Sequence, residues 1–211
     1  MQALGTAESA SPVLAGLGLG IALASAPGPV QAVLMAEAIR GGITRGLRAL
    51  AGANLTFGFL LVLLALGLSV APPSGVTLRV LNVIGGALLL WLAVEGFRSA
   101  GRPTEAASER RQLPPAVRGA LAVILNPGAW LFLGAVASPL FASATQRGGT
   151  RSALLAAGAL VVGLAIGDGA VVLLGLSVRR AGDRVGMWVR RGLAIVLAGL
   201  GVWLLVRGVM P

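Results

Sequence analysis

The sequence lacks cysteine, histidine, lysine and tyrosine altogether, and charged residues make up only 11% of its 211 residues. Without cysteine the chain forms no disulfide and no thiolate metal site. Without histidine it has no imidazole zinc ligand and no Ser-His nucleophile pair, so we expect no metal site and no cofactor. Soluble domains usually contain about 25% charged residues, and a chain with so few cannot cover a water-facing surface. The composition therefore argues against a soluble globular protein.

Long apolar runs dominate what is present, since 56% of the residues are hydrophobic and 32 are glycine. A helix of ~20 apolar residues crosses the hydrocarbon core of a bilayer, which is ~30 Å thick. The runs show no period-2 alternation, so they predict helices rather than the strands of a barrel. The sequence predicts an all-α membrane protein, and its six transmembrane helices are placed at residues 12–36, 49–70, 80–97, 119–142, 153–178 and 192–209.

The basic residues indicate how the chain is oriented. All 17 are arginine, and the net charge is +10. Thirteen lie in the connections between helices 1 and 2, 3 and 4, and 5 and 6, whereas four lie on the opposite side. Because cytoplasmic loops carry the excess of positive charge, this distribution predicts three cytoplasmic loops and puts both termini outside. Topology and contact with the anionic lipids of the bilayer then account for the charge, and no nucleic-acid partner is expected.

A polar segment at residues 98–118, rich in proline, arginine, glutamate and serine, divides the chain. We interpret it as a cytoplasmic linker between a first three-helix half, residues 1–97, and a second, residues 119–211. The sequence Trp-Leu-Ala-Val-Glu-Gly at residues 91–96 recurs as Trp-Leu-Leu-Val-Arg-Gly at residues 203–208. With three helices per half, the second half enters the membrane in the opposite sense. This predicts a 3+3 inverted repeat of the kind found in secondary transporters.

Asp168 is the one acidic residue well inside a predicted helix, and Gly167 and Gly169 flank it. A polar group in hydrocarbon is costly unless it is paired, so an ionisable residue there points to function. The functional interpretation is a site for a cation or a proton. The alternative is a carboxyl group that hydrogen-bonds a neighbouring helix for packing alone.

Two proline-glycine motifs interrupt predicted helices. Pro27-Gly28-Pro29 lies within helix 1, and Asn126-Pro127-Gly128 lies within helix 4, the first helix of the second half. Proline removes a backbone donor and excludes the preceding residue from a helix, so each helix must break or kink. Interruptions at corresponding positions of two halves indicate a transporter binding site, where freed N–H groups and the half-helix dipole hold an anion such as a carboxylate. The alternative is a pair of packing kinks.

Other polar residues within or beside the helices leave two interpretations open. Asn54 in helix 2 is either a substrate contact or an interhelical hydrogen bond. Glu37 and Arg40, like Glu95 and Arg98, are spaced i, i+3 and predict ion pairs at the membrane interface. Pairs of glycines spaced four residues apart in helices 1 and 5 suit either a homo-oligomer interface or packing within one chain.

Together these residues resemble the lysine exporter (LysE/RhtB) family of amino-acid efflux translocators. The resemblance rests mainly on Pro27-Gly28-Pro29, on Leu125-Asn126-Pro127 and on Asp168. It implies six helices and export of amino acids or similar metabolites, driven by a proton or ion gradient. Val30 stands where the family often has Asn or Asp, and Gly128 where it often has Lys. Both departures remove polarity, which weakens the case for a cationic substrate such as lysine and leaves a neutral or modified amino acid as an equal alternative.

The sequence as a whole predicts an exporter of a small zwitterionic metabolite in the inner membrane. The broken helices 1 and 4 would hold the carboxylate through backbone N–H groups. Asp168 would bind the ammonium group or the coupling proton, and Asn54 and Asn126 would orient the substrate. The alternative is a metal- or inorganic-ion transporter of similar architecture, with oxygen ligands only. An enzyme is not expected, because Asp168 alone is placed for catalysis.

Overall fold

A computed structural model describes residues 2–26, 28–67, 75–100 and 113–209. Almost all of these residues are helical, and none of them lies in a strand. The helices in chain order are α1 (Gln2–Ser25), α2 (Pro29–Ala65), α3 (Gly75–Ala100), α4 (Pro115–Ile124), α5 (Pro127–Phe132), α6 (Ser138–Arg180) and α7 (Asp183–Val209), with a π-helical turn at Leu133–Ala137 between α5 and α6.

The described helices have the length and composition of membrane spans. Four stretches are long and apolar enough to cross a bilayer, and they are Pro29–Ala65, Gly75–Val94, Pro127–Arg180 and Arg184–Val209. Two shorter apolar helices, Pro12–Ser25 and Pro115–Ile124, precede the first and third of these stretches. The prediction of a helical membrane protein is thereby confirmed.

Two pairs of glycines bend the longest helices sharply. At 37 residues α2 is ~55 Å long, well beyond the ~30 Å hydrocarbon core. Its backbone leaves the helical conformation at Gly41 and Gly42, where Gly42 has a φ of 73°. In α6 the same happens at Gly148 and Gly149, where Gly149 has a φ of 66°. Glycine adopts positive φ without the steric penalty of a side chain, so each pair replaces the loop that was expected there with a two-residue bend.

The two bends and the ends of the helices divide the described residues into six rods, numbered in chain order, which correspond to the predicted spans but begin and end at different residues. Helix 2, for example, starts directly after the Gly41-Gly42 bend rather than at residue 49. The six rods are residues 12–40, 43–65, 75–100, 115–147, 150–180 and 183–209.

Rods 1 and 4 are each interrupted within their length, as the proline motifs predicted. In rod 1, α1 ends at Ser25 and α2 begins at Pro29, while Pro27 itself lies outside the described residues. In rod 4, α4 ends at Ile124 and α5 begins at Pro127. A π-helical turn follows one helical turn later, which is a common accompaniment of functional sites in helices.

Glycine contacts show which rods pack together. On rod 1, a Cβ added to Gly20 would lie 3.0 Å from the Cα of Gly163 on rod 5, so the two backbones touch directly. Gly16 faces the backbone of Ala156 on rod 5 in the same way. The glycine pair of helix 1 is therefore used for packing within the chain.

The remaining rods also pair across the two halves of the sequence. Gly119 on rod 4 lies against the backbone of Ala49 on rod 2. Rods 3 and 6 cross where a Cβ on Gly86 would lie 2.7 Å from the carbonyl oxygen of Gly201, and one on Gly201 would lie 2.9 Å from that of Gly86. The first and second halves are thus interleaved, because each rod finds its closest partner in the other half.

The polar segment between the halves is shorter at both ends than expected. Of the predicted linker, residues 98–100 belong to α3 and residues 115–118 belong to α4, whereas residues 101–112 lie outside the described residues. Arg118 belongs to α4 and is therefore not a loop residue. Only 3% of its side chain is exposed.

Arg118 takes part in a buried ionic cluster around Glu37, whose side chain is only 2% exposed. Arg118 Nη1 donates a hydrogen bond to Glu37 Oε1 at 3.0 Å, and Arg45 Nε donates to Glu37 Oε2. Arg40 Nη1 lies 3.9 Å from Oε1, which confirms the predicted pair of Glu37 with Arg40. The Arg118 guanidinium also lies over the ring of Trp91, 5.6 Å from its centroid. This Glu37 cluster joins rods 1, 2, 3 and 4 at one end of the bundle.

The side chain of Glu95 lies outside the described residues, so its predicted ion pair with Arg98 stays a prediction. Its sequence pattern is the same as that of Glu37 and Arg40. The i, i+3 spacing did not predict that Glu37 is buried. Its additional partners Arg45 and Arg118 lie on other rods, and a local spacing does not reveal such contacts.

Neutralising Glu37 is expected to destabilise the protein. Glu37→Gln removes the carboxylate that three guanidinium groups share, and breaking a buried ion pair costs about 3–5 kcal/mol. The melting temperature of the protein purified in detergent should fall clearly below the wild-type value. The double variant Glu37→Gln with Arg118→Gln should regain part of the loss, because it removes excess positive charge. A wild-type melting temperature for Glu37→Gln would contradict the cluster's role.

Candidate functional site

A cavity of about 230 Å³ lies in the interior of the bundle, where rods 1 and 4 are interrupted. We call it the central cavity. Rods 1, 2, 4 and 5 all contribute to its wall. The lining residues are Leu23, Ala26, Gly28, Pro29, Val30, Gln31, Ala53, Asn54, Phe57, Val123, Asn126, Gly128, Ala129, Leu164 and Asp168.

Most of the site residues predicted from the sequence meet at this cavity. The fold brings together two interrupted helices, one amide and one carboxylate that lie far apart in the chain. Pro127 instead lines a neighbouring cavity, and Pro27 is outside the described residues. Those that line the central cavity are Gly28, Pro29, Asn54, Asn126, Gly128 and Asp168.

Asp168 lies on rod 5 with 2% of its surface exposed. Gln31 Nε2 donates a hydrogen bond to Asp168 Oδ1 at 3.5 Å, near the upper limit for such a bond. The side chain of Asn54 also lies beside this carboxyl group. Among the described residues no arginine forms an ion pair with Asp168, so its nearest polar neighbours are neutral amides.

Asn54 carries an unused donor. Its side chain is 91% buried, since 9% is exposed, and Nδ2 has no hydrogen-bond partner among the described residues. The proximity to Asp168 therefore does not amount to a hydrogen bond from Nδ2. A buried donor without a partner costs about 1–3 kcal/mol, so buried amides of this kind usually serve a ligand or water.

The break in rod 1 presents a helix N-terminus to the cavity. Gly28 precedes α2 and offers no side-chain cap, and the first hydrogen bond of α2 runs from Ala32 N–H to the Gly28 carbonyl oxygen at 3.0 Å. The N–H groups of Val30 and Gln31 come before that bond and have no partner within the helix. Together with the positive end of the helix dipole, they favour an anion at this place.

The break in rod 4 is different, because its polar groups are satisfied locally. Asn126 Oδ1 accepts a hydrogen bond from Gly128 N–H at 3.0 Å, which makes Asn126 the N-cap of α5. Trp130 Nε1 donates a hydrogen bond to the Ile124 carbonyl oxygen at 2.7 Å. This bond satisfies a carbonyl group that the break leaves without a helical partner. The expectation that both breaks offer free donors therefore does not hold for Gly128. An Asn-Pro dipeptide is itself a helix-start signal, which the sequence interpretation did not use.

Loss of the Trp130 indole N–H is expected to loosen this break. Trp130→Phe keeps an aromatic ring but leaves the Ile124 carbonyl without its partner, at a cost of about 1–2 kcal/mol. A lower melting temperature in detergent should follow. Trp188→Phe is the matched control, because Trp188 is exposed and stacks only with Arg191 among the described residues. Equal shifts in the two variants would contradict a specific role for Trp130.

The rest of the central cavity is apolar. Asp168 is the one charged side chain among its described lining residues. Apolar side chains come from rods 1, 2, 4 and 5, and they are Leu23, Val30, Ala53, Phe57, Val123, Ala129 and Leu164. A molecule bound here would meet one acidic group, the three amide side chains of Gln31, Asn54 and Asn126, and a hydrophobic wall.

A second cavity, of about 450 Å³, adjoins the first, and we call it the side cavity. Pro29, Asn126 and Gly128 line both cavities. The side cavity extends between rod 4 and the pair formed by rods 3 and 6. Its other lining residues are Asn82, Pro127, Leu131, Leu200, Trp203, Leu204, Val206 and Arg207. The sequence interpretation missed this cavity, because Asn82 and Arg207 lie near helix ends and look like ordinary interfacial residues.

The sequence was compared with known protein families, with curated proteins and with solved structures. Residues 21–208 match the family described as LysE type translocator. This range includes both helix breaks and all residues of the central cavity. Comparisons with curated proteins and with solved structures give no significant match.

Proposed function

The chain belongs to the LysE type translocator family, and on that premise we propose that it exports a small amino acid across the inner, cytoplasmic membrane. It is a multi-pass membrane transport protein. Export is coupled in this proposal to a proton or ion gradient. The observation that carries it is the meeting of Asp168, Asn54 and the start of α2 around one cavity.

The two charged groups of an amino acid fit neighbouring polar groups of this cavity. The ammonium group pairs with Asp168, which otherwise has only neutral amide neighbours among the described residues. The carboxylate accepts hydrogen bonds from the first N–H groups of α2 and from Asn54 Nδ2, the donor without a partner. Asn126 shapes the site as the cap of α5 rather than by holding the carboxylate.

The hydrophobic wall favours a neutral aliphatic side chain. A second ammonium group, as in lysine, would meet Phe57, Leu164 and their apolar neighbours with no second carboxylate to pair with. We therefore propose amino acids such as leucine or valine as substrates. Nothing specific favours metal-ion transport, since no three acidic side chains of the described residues converge.

Efflux from proteoliposomes tests this proposal. Purified protein is reconstituted, the vesicles are loaded with one radiolabelled amino acid from a panel, and loss of label is followed with and without an imposed proton gradient. Leucine or valine is expected to leave faster than lysine or glutamate. No gradient-dependent efflux of any amino acid would overturn the proposed function, whereas faster efflux of lysine would overturn the proposed specificity.

We also propose that the six rods form a 3+3 inverted repeat with both termini outside. The Gly41-Gly42 and Gly148-Gly149 bends support it, because their backbone dihedral angles are nearly the same. The interrupted first rod of each half supports it as well. The interleaved packing argues against rocking of the two halves as separate bodies, because Gly20 and Gly119 contact backbone in the other half.

A reporter that works only in the cytoplasm checks the orientation. Fusion after residue 105 is expected to give signal, and fusion after residue 146 is expected to give none. The reason is the excess of arginine on the side of residue 105, thirteen against four. The reverse pattern would overturn the proposed orientation.

A further inference from the structure

We propose that the side cavity is a second binding subsite, in which Arg207 receives the carboxylate of the exported compound on its way out. This inference rests on the proposed function. It differs from that function in concerning another cavity, another charged residue and the outer side of the membrane.

The two cavities share part of their walls. Pro29, Asn126 and Gly128 form part of the wall of both cavities, so a molecule that passes between them moves along one lined path. The side cavity is the larger of the two, at about 450 Å³ against about 230 Å³. The side cavity therefore has enough volume for a compound of the size that the central cavity holds.

The two cavities carry side chains of opposite charge. Asp168 is the charged side chain of the central cavity, and Arg207 is that of the side cavity, among the described lining residues. The two cavities thus offer one acidic and one basic group to a compound that carries both charges. No acidic side chain among the described residues pairs with Arg207.

An aromatic ring holds the Arg207 side chain in place. Its guanidinium lies over the ring of Trp203, 4.4 Å from the centroid. Stacking of this kind restrains the guanidinium plane and leaves its edge N–H groups available for the two oxygens of a carboxylate.

Asn82 adds a polar group to the same cavity. It lies on rod 3, across from Arg207 on rod 6, and is 6% exposed. Its amide offers both a donor and an acceptor to a bound amino acid. Leu200 and Leu204 provide an apolar surface for the side chain.

The position of Arg207 determines how the subsite acts. It belongs to the last turn of α7, at the end of rod 6 that our orientation places outside. An exported compound reaches this subsite last, and the same compound added outside reaches it first. External substrate should therefore inhibit efflux, and that inhibition should depend on Arg207.

The test uses reconstituted full-length protein with L-leucine inside the vesicles and either L-leucine or L-leucinamide outside. Arg207→Gln is expected to raise the external L-leucine concentration that gives half-inhibition by about tenfold, the loss typical of one charge-assisted hydrogen bond. The KM for internal L-leucine should change by less than about twofold, since the central cavity is untouched. L-leucinamide, which has no carboxylate, should act equally on wild type and variant. Arg207→Lys should give an intermediate result.

Arg151→Gln is the matched control, because Arg151 is an exposed arginine beside the Gly148-Gly149 bend, on the side that we assign to the outside. If Arg207→Gln and Arg151→Gln give the same inhibition, Arg207 is an interfacial anchor only and the proposal is wrong. If wild-type protein does not export L-leucine at all, that result counts against the proposed function. The subsite is then decided by titrating detergent-solubilised protein with L-leucine and following tryptophan fluorescence. A response that needs Trp203 and Arg207 and is absent with L-leucinamide supports the subsite, and a response independent of Arg207 overturns it.

Discussion

Asp168→Asn protein is expected to reach the membrane in normal amounts and to show no gradient-driven export above the level of protein-free vesicles. Asparagine has nearly the same shape as aspartate and keeps most hydrogen bonds, but it cannot ionise. Gln31 can still reach its oxygen, so the packing of rods 1 and 5 should survive. The measurement is efflux under an imposed proton gradient, with the amount of inserted protein determined in parallel.

Two further variants separate charge from position. Asp168→Glu keeps the charge but moves it by one methylene group, so partial export is expected. Asp183→Asn removes an acidic group at the first residue of α7, a helix that contributes no described residue to the central cavity, and should export normally. Full export by Asp168→Asn would show that the carboxyl group serves packing alone, because an amide can replace it in an interhelical hydrogen bond.

The second large effect is expected from Gly20→Val, which should prevent the bundle from assembling. A Cβ at Gly20 would overlap the Leu160 carbonyl oxygen and lie 2.8 Å from the Leu164 nitrogen, so backbone rather than a flexible side chain must move. Over-packing usually costs about 1–3 kcal/mol, and a clash between two backbones exceeds that range. The yield of monodisperse protein in detergent and its melting temperature should both fall sharply.

Gly18→Val is the control on the same helix. A Cβ at Gly18 would have nothing within 4 Å, so the variant should express and melt like the wild type. On rod 5, Gly163→Val and Gly158→Val form a second such pair, because Gly163 faces rod 1 whereas Gly158 has open space. Similar yields for Gly18→Val and Gly20→Val would contradict the close approach of rods 1 and 5.

Local patterns in the sequence were sufficient for the positions of the six rods. Hydrocarbon thickness fixes the length of a span, and proline fixes where rods 1 and 4 break, so both features depend on neighbouring residues only. Asp168 and Asn54 stood out for a similar reason, since a polar side chain in an apolar run is conspicuous. Their meeting with Gly28 and Gly128 at one cavity followed from the inverted-repeat hypothesis rather than from any single motif.

What the sequence did not reveal depends on contacts between distant residues. Arg118 looked like a loop charge, because its partner Glu37 lies 81 positions earlier. The Gly41-Gly42 bend looked like part of a loop, because a positive φ leaves no mark beyond the glycine itself. The sequence Asn-Pro-Gly is typical of a helix start, so it could have predicted the capping role of Asn126. The general rule that an interrupted helix leaves its backbone N–H groups free led to a different prediction.

The interleaving of the rods has a consequence for biosynthesis. Gly163, the partner of Gly20, follows it in the chain by 143 residues. At a synthesis rate of ~5–20 residues per second, rod 1 waits roughly 7–30 s in the bilayer before its partner leaves the ribosome. During that time the small-residue face of rod 1 is open to lipid and to other nascent helices. A ribosome that stalls before rod 5 is complete leaves a chain in which the packing face of rod 1 stays uncovered.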